Sequence, residues 1–347
     1  MKWKSKRFAA TAALALTAGL ALAGCGSGSS SSPSAGGSSG GGGSDLTVTL
    51  IPKNLGNPYF DTSEAGVKKA MSAIGGSYTQ VGPQTATPDG QVPFINTATQ
   101  QGTKAIVISS DDPSAPCDAL KQAMSAGIKV VTFDSDTNPD CRDVFVNQAT
   151  ADGIAKVQVD MIAKQIGDSG EIAVLSAAAN ATNQNAWIDL MKKDLAANHP
   201  NIKLDAVVYG KDDDQTSFDK TSALLQQYPN LKGIISPTTV GIAAAARYLT
   251  KSDAKGKVAL TGLGTPNQMR PYVKDGTVKE FALWNPEDLG YLAAYTASAL
   301  VDGTITGKEG DSFDAGTLGT YKVGADSTVL LGKPFVFDKS NIDQFNF

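Results

Sequence analysis

Seven short stretches of this 347-residue chain gather acids, amides, hydroxyls, a lysine and aromatic rings. They are Lys53-Asn54-Leu55-Gly56-Asn57-Pro58-Tyr59-Phe60, Asp111-Asp112-Pro113, Asp134-Ser135-Asp136, Asn180 to Trp187, Pro237-Thr238-Thr239, Gly262-Leu263-Gly264-Thr265-Pro266 and Trp284-Asn285-Pro286. Such a set suits a polyhydroxylated ligand. Each sugar hydroxyl can donate and accept, and the C–H faces of a pyranose stack on aromatic rings. The candidate contacts are Lys53, Asn54, Asn57, Phe60, Asp111, Asp112, Asp134, Asn183, Gln184, Asn185, Trp187, Pro237, Thr238, Thr239, Gly264 and Trp284. An ionised Asp134 could accept two hydroxyls, each charged hydrogen bond contributing roughly 1.5–3 kcal/mol; capping the next helix is its alternative role. Lys53 could donate to the ligand while compensating Asp134, the alternative being a solvated surface lysine. Asn183, Gln184 and Asn185 open a helix, whose free N–H groups could face the same space. Phe60 and Trp284 are candidate stacking walls, although an aromatic ring is more often core.

Other chemistries find less material. The single histidine, His199, sits in the turn-like Asn198-His199-Pro200-Asn201, so a histidine-based triad or a multi-histidine metal site is not available. The acidic run Asp212-Asp213-Asp214-Gln215 lacks the spaced ligands and terminal Glu of a calcium loop and reads as solvated acids at a helix N-terminus. The glycines between Gly26 and Ser44 form no phosphate loop, because no strand precedes them and no lysine follows. No metal or cofactor is therefore expected, and no enzyme, which would need an acid/base pair or a metal site. Cys117 and Cys141 form an even pair that reads as a disulfide outside the cytoplasm, with two buried free thiols as the alternative.

Short β-branched runs alternate with amphipathic stretches and would position these groups. Strand Leu46 to Ile51 precedes a helix from about Phe60 to Ser72, strand Ala105 to Ser109 precedes a helix from Cys117 to Ala126, and strand Lys129 to Phe133 runs into Asp134. After Ala149 the pattern restarts: a helix to about Ile166, strand Glu171 to Ser176, helix Gln184 to Ala197, strand Asp205 to Tyr209 and helix Thr216 to Gln227. Strand Gly233 to Ser236, helix Val240 to Leu249 and strand Val258 to Gly262 follow. This alternation predicts an α/β fold with parallel, doubly wound sheets, and the restart predicts two of them. Ligands gather beyond the carboxyl ends of such strands, where the seven stretches fall. The roughly 300 residues involved also exceed one typical core, which favours two lobes.

The start of the chain is basic at Lys2, Lys4, Lys6 and Arg7, then uncharged and largely apolar from Phe8 to Ala23. This reads as a secretory signal over residues 1–24. Its ending, Leu22-Ala23-Gly24-Cys25, resembles the lipobox of bacterial lipoproteins, which implies a lipid anchor on Cys25 and a cell-membrane or periplasmic location. From Gly26 to Ser44 only Gly, Ser, one Pro and one Ala occur, a flexible tether of about 25 Å root mean square span. Setting aside the four basic residues of the signal, 26 of the 30 Lys and Arg face 34 Asp and Glu. That acidic balance makes nucleic acid an unsuitable partner.

The stretches Ala181 to Trp187, Pro237 to Ala246, Thr261 to Pro266 and Trp284-Asn285-Pro286 are similar to those of rhamnose-binding receptors. Asp134-Ser135-Asp136-Thr137, Cys141-Arg142 and Met269 to Val273 also occur in the autoinducer-2 receptor. The chain from about Asp45 to Phe347 thus resembles the type I periplasmic binding proteins, in the branch holding these two kinds of receptor. Autoinducer-2 receptors use a Lys, an Asp, an Asp-Gln pair, a Pro and an Ala; Lys53, Asp134, Gln184 and Pro237 match, whereas Asn183 and Thr239 depart. The departures fit the rhamnose pattern. The resemblance implies a monomeric receptor that captures a small sugar, L-rhamnose first and autoinducer-2 as the alternative, and hands it to an ABC permease. A repressor on the same fold would carry an N-terminal helix-turn-helix where this chain has its lipobox and linker.

The expected first lobe comprises residues 45–148 plus about 286–328, and the second residues 149–285 plus about 329–347. Segments near Asn147 to Thr150, Leu283 to Pro286 and about Val329 to Pro334 would cross between them and act as the hinge on which the lobes close.

Overall fold

The structure, a computed structural model, describes residues 45–347. The signal segment, Cys25 and the linker through Ser44 lie outside the described residues. The elements run β1 (Thr47–Ile51), α1 (Pro58–Ile74), β2 (Ser77–Gln80), α2 (Val92–Gln101), β3 (Ala105–Ile108), α3 (Cys117–Ser125), β4 (Lys129–Phe133), β5 (Val144–Ala149), α4 (Ala151–Ile166), β6 (Gly170–Ser176), α5 (Thr182–Asn198), β7 (Ile202–Tyr209) and α6 (Asp214–Gln227). They continue with β8 (Leu231–Ser236), α7 (Thr239–Thr250), β9 (Ala259–Gly262), α8 (Pro266–Lys274), β10 (Glu280–Leu283), α9 (Pro286–Val301), β11 (Ser312–Asp314), β12 (Thr320–Lys322), β13 (Thr328–Gly332) and β14 (Phe335–Asp338).

The first sheet has the order β13-β5-β4-β3-β1-β2, every pair parallel. Its strands feed two cores by alternation: Val48, Leu50, Val107, Val131 and Phe133 pack on the side of α1, and Ile51, Ile106, Ile108 and Val130 on the side of α2 and α3. A parallel sheet covered on both faces needs such continuous apolar runs, and all four residues of β3 are buried. The Cys117–Cys141 disulfide lies within the second of these cores, with an S–S distance of 2.03 Å.

The second sheet has the order β7-β6-β8-β9, also parallel throughout. A parallel bridge from Leu263 to Ala282 continues it toward β10, which pairs antiparallel with β14. The fold is thus two doubly wound parallel-sheet lobes. The chain passes from the first sheet to α4 after Ala149, returns after Leu283 to α9, which packs along α1, and leaves again after β13.

That last passage corrects the expected division. Thr328–Gly332 pairs in parallel with Phe145–Ala149, so β13 belongs to the first sheet; the chain crosses after Gly332, inside the expected segment from about Val329 to Pro334, and the lobe boundary moves there from about residue 329. Only the residues from β14 onward join the second lobe.

Local chemistry sets the helix starts that matter for the site. Asn57 caps α1 by accepting from the Tyr59 N–H, with Pro58 in the first turn, and Asn285 caps α9 in the same way through Glu287, ahead of Pro286. Among the described residues no helix is long and apolar enough to cross a membrane.

Candidate functional site

The carboxyl ends of both sheets face one another across a cleft. From the first lobe come Lys53 after β1, Asn57, Tyr59 and Phe60 at the start of α1, and Asp134 after β4. From the second come Asn183, Gln184 and Trp187 in the first turns of α5, Asp212 after β7, Pro237, Thr238 and Thr239 after β8, and Leu263 after β9. Leu283 at the end of β10 and Trp284 just after it, where the chain returns to the first lobe, complete the lining.

Asp134 is held tightly. Its backbone adopts a left-handed conformation (φ 61°), Tyr59 Oη donates to Oδ1 at 3.0 Å and Ser109 Oγ to Oδ2 at 2.8 Å. The Lys53 ammonium lies 3.8 Å from Oδ2. Lys53 also donates to Asn183 Oδ1 at 3.2 Å, and Asn183 Nδ2 donates to the Asp134 carbonyl at 3.3 Å, so side chains of the two lobes already touch across the cleft. Burial, reinforced by the neighbouring Asp134 carboxylate, raises the Tyr59 hydroxyl well above its ordinary value and keeps it a donor.

Gln184 is committed to the protein: its Oε1 accepts from Ser176 Oγ at 2.7 Å and the Ala177 N–H at 2.8 Å. Its amide nitrogen is the part left for a ligand. The apolar wall is a chain of rings. Phe60 and Tyr59 meet edge to face at 5.1 Å, Tyr59 and Trp284 at 6.2 Å, and Trp284 and Trp187 at 6.2 Å. Trp284 Nε1 donates to Tyr59 Oη at 2.8 Å, which fixes the indole between the lobes.

Eleven of the sequence candidates therefore line one cleft: Lys53, Asn57, Phe60, Asp134, Asn183, Gln184, Trp187, Pro237, Thr238, Thr239 and Trp284. Five do not. Asp112 spends Oδ1 on the N–H groups of Ser114 and Ala115 and faces Asn180 of the other lobe. Asn185 bonds the Ala179 carbonyl at 2.8 Å, closing the loop ahead of α5. Gly264 packs against Met269, Ile242 and Phe281, where a side chain would collide. Asn54 borders a neighbouring crevice. Asp111 is buried behind the site, its N–H held by Gln91 Oε1 and its Oδ2 without a partner; burial pushes its carboxyl up to about 8, against the pull of Lys53 and with the help of Asp212.

Tyr59 and Leu263, named in the post-strand stretches but not selected, belong to the lining, as does Leu283. Asp212 corrects the reading of its acidic run. Asp213 does cap α6, accepting from the Thr216 N–H at 2.7 Å, and Asp214 pairs with Arg247 outside. Asp212 instead turns inward and accepts a hydrogen bond from Thr238 Oγ1. Burial raises its pKa, with Lys53 opposing. The cleft lining thus sets one ammonium against two carboxylates and flanks them with hydroxyls, amides and rings, an arrangement that can hold a neutral ligand rich in hydroxyl groups.

The comparisons agree with this architecture. Residues 48–305 match the periplasmic binding protein domain. A sugar ABC transporter protein from Actinomyces odontolyticus is 52% identical, with 87% of this chain and 98% of that one covered and a TM-score of 0.71. A solute-binding protein from Clostridium phytofermentas, solved with bound L-rhamnose, is 43% identical over 87% of this chain and 98% of its own, with a TM-score of 0.84. LsrB from Clostridium saccharobutylicum, solved with AI-2, is 29% identical over 87% of this chain and all of its own (100%), with a TM-score of 0.82. The ribose import binding protein of Salmonella typhimurium is 24% identical over 266 residues, which is 74% of this chain and 85% of the relative. The chain belongs to the periplasmic binding protein family, in the branch of sugar ABC transporter solute-binding proteins that includes rhamnose-bound and AI-2-bound receptors.

Proposed function

We propose that this chain captures a neutral monosaccharide, L-rhamnose first, between its lobes and delivers it to an ABC permease while anchored to the outer face of the cell membrane through Cys25. The observation that carries the reading is the cleft itself. Polar groups from both lobes, with Lys53, Asp134 and Asn183 already joined across it, converge beside the rings of Phe60, Trp187 and Trp284. A ligand touching both lobes favours the closed population by its differential affinity, and a permease that recognises the closed form would then receive only loaded receptor. The 43% identity to the rhamnose-bound protein supports rhamnose over other sugars.

Autoinducer-2 is the second reading. Lys53, Asp134, Gln184 and Pro237, the positions shared with receptors for that signal, all line the cleft, and the LsrB relative supports it. Against it stand Asn183 in place of an acid and the larger Thr239 in place of Ala. Calorimetric titration with L-rhamnose, other deoxy sugars and autoinducer-2 separates the two: heat with rhamnose is expected, heat with autoinducer-2 alone reverses the order, and heat with neither sinks both. Anchoring is tested by Cys25→Ser, which should move the chain from the membrane to the soluble fraction.

A further inference from the structure

We propose that Asp212 sets the charge class of the ligand: it accepts a hydroxyl of a neutral sugar from the second lobe and turns away sugars that carry a carboxylate. The inference rests on the sugar-receptor reading above and adds a residue and a selectivity to it.

Three observations place Asp212 in this role. The first is the backbone. Lys211 and Asp212 are consecutive non-glycine residues in the left-handed region, at φ 59° and 50°. L-residues avoid that region, and a pair of them persists only where surrounding contacts impose it. Here the Lys211 N–H is bonded to the Ala177 carbonyl at 2.7 Å and the Gly210 N–H to the Ser176 carbonyl at 2.8 Å. Gly210 lies so close to α6 that a Cβ would sit 2.1 Å from Ser217 Oγ. The turn swings Asp212 away from the helix start served by Asp213 and into the cleft.

The second observation is spare hydrogen-bonding capacity. Asp134 already takes protein donors on both oxygens, from Tyr59 and Ser109, with Lys53 close by. Asp212 takes one, from Thr238 Oγ1 to Oδ1, and among the described residues no protein donor bonds its Oδ2. Asp212 lines the cleft, and a carboxylate that keeps one oxygen without a protein donor has capacity for a ligand hydroxyl.

The third is charge. Among the described residues Lys53 is the one cation lining the cleft, and it faces both Asp134 and Asp212. An acidic ligand would bring a further negative charge into a site with a single, already engaged ammonium, whereas a neutral polyol adds donors that both carboxylates can use.

The test uses the full chain and a matched pair of ligands, L-rhamnose and L-mannuronate, which has a carboxylate where rhamnose has its methyl group. Asp212→Asn removes the charge with little change of shape, and Asn tolerates the left-handed backbone. Asp212→Gly suits the same backbone and serves as the second variant. Titration calorimetry of the native chain should give rhamnose binding at least about 100-fold tighter than mannuronate binding. In both variants rhamnose binding should weaken by about 10-fold or more while the preference over mannuronate shrinks by about 10-fold or more, the loss of a charged hydrogen bond and of a like-charge repulsion. Native binding of rhamnose with variants unchanged in affinity and preference overturns the role of Asp212 and leaves the receptor reading intact. No native binding of rhamnose removes the rhamnose reading and this inference together.

Discussion

Lys53 and Asn183 meet across the cleft, the ammonium of the first lobe donating at 3.2 Å to the amide oxygen of the second. The same amide donates back at 3.3 Å to the carbonyl of Asp134. One side chain therefore makes two bonds between the lobes, and both must break for the cleft to open. Asn183→Ala should shift the ligand-free chain toward the open form, seen as a larger radius of gyration in small-angle scattering. It should also weaken ligand binding by about 10-fold, equivalent to about 1.4 kcal/mol. Unchanged scattering and affinity would show that the contact does not hold the lobes together.

Asp111 makes stability depend on pH in a direction opposite to that of most carboxylates. Its folded value is raised to about 8 from 3.8 by burial, with Asp212 and Asp112 adding to the rise and Lys53 and the Thr87 backbone opposing it. Between those values the native state holds a proton that the unfolded chain has released, so stability falls as pH rises through this window and levels off above it. Asp111→Asn keeps the neutral shape and removes the titration. Thermal melts at pH 5 and pH 8.5 should show the native chain losing more stability over this interval than the variant; equal losses would exclude Asp111 as the source.

The legible part of this molecule was the part governed by local pattern. Strand Lys129 to Phe133 matches its expected limits, and because strand ends could be read, the positions after them could be read too; Lys53, Asp134 and Asn183 followed from that. What failed was what local pattern does not encode. Asp212, Asp213 and Asp214 are chemically equivalent in sequence, and only a left-handed turn held by Ala177 and Ser176 separates the inward acid from its neighbours. Asp112 and Asn185 illustrate the converse, since a polar residue after a strand can be consumed by its own loop. Strand β13 is followed by β14 with no helix between, so the alternation that assigned other strands to lobes was missing, and its place depended on pairing with β5, about 180 residues earlier in the chain.

The disulfide offers a test of how the first lobe is held. Cys117 at the start of α3 and Cys141 beyond β4 are 24 residues apart in sequence, and both sulfurs lie in a core with Leu120 and Val130. Closing a loop of this size contributes about 3 kcal/mol through the unfolded state. Replacing both cysteines by serine should lower the melting temperature by on the order of 5 °C or more, with two hydroxyls left in an apolar core adding to the loss. Sugar binding at low temperature should persist, because neither cysteine lines the cleft. A melting temperature unchanged by the double substitution would show that the bridge does not stabilise the lobe.

The approach of α1 to α9 should be the most sensitive packing relationship that feeds the site. A Cβ on Gly66 would lie 1.8 Å from the Glu287 carbonyl oxygen, and one on Gly290 would lie 2.0 Å from that of Ser63. Both obstacles are backbone, so neither can rotate away, and the helices must separate to admit a methyl group. Overpacking of this kind costs about 1–3 kcal/mol or more. The consequence reaches the cleft because α1 carries Tyr59 and Phe60 in its first turn, while α9 begins just after Trp284, whose indole donates to Tyr59. Gly66→Ala and Gly290→Ala should therefore lower both melting temperature and ligand affinity. Gly332→Ala, where no atom lies within 4 Å of the added carbon, should leave stability within about 0.5 kcal/mol of the native chain. Equal behaviour of the three variants would mean that the helices part freely and that their spacing does not position the aromatic wall.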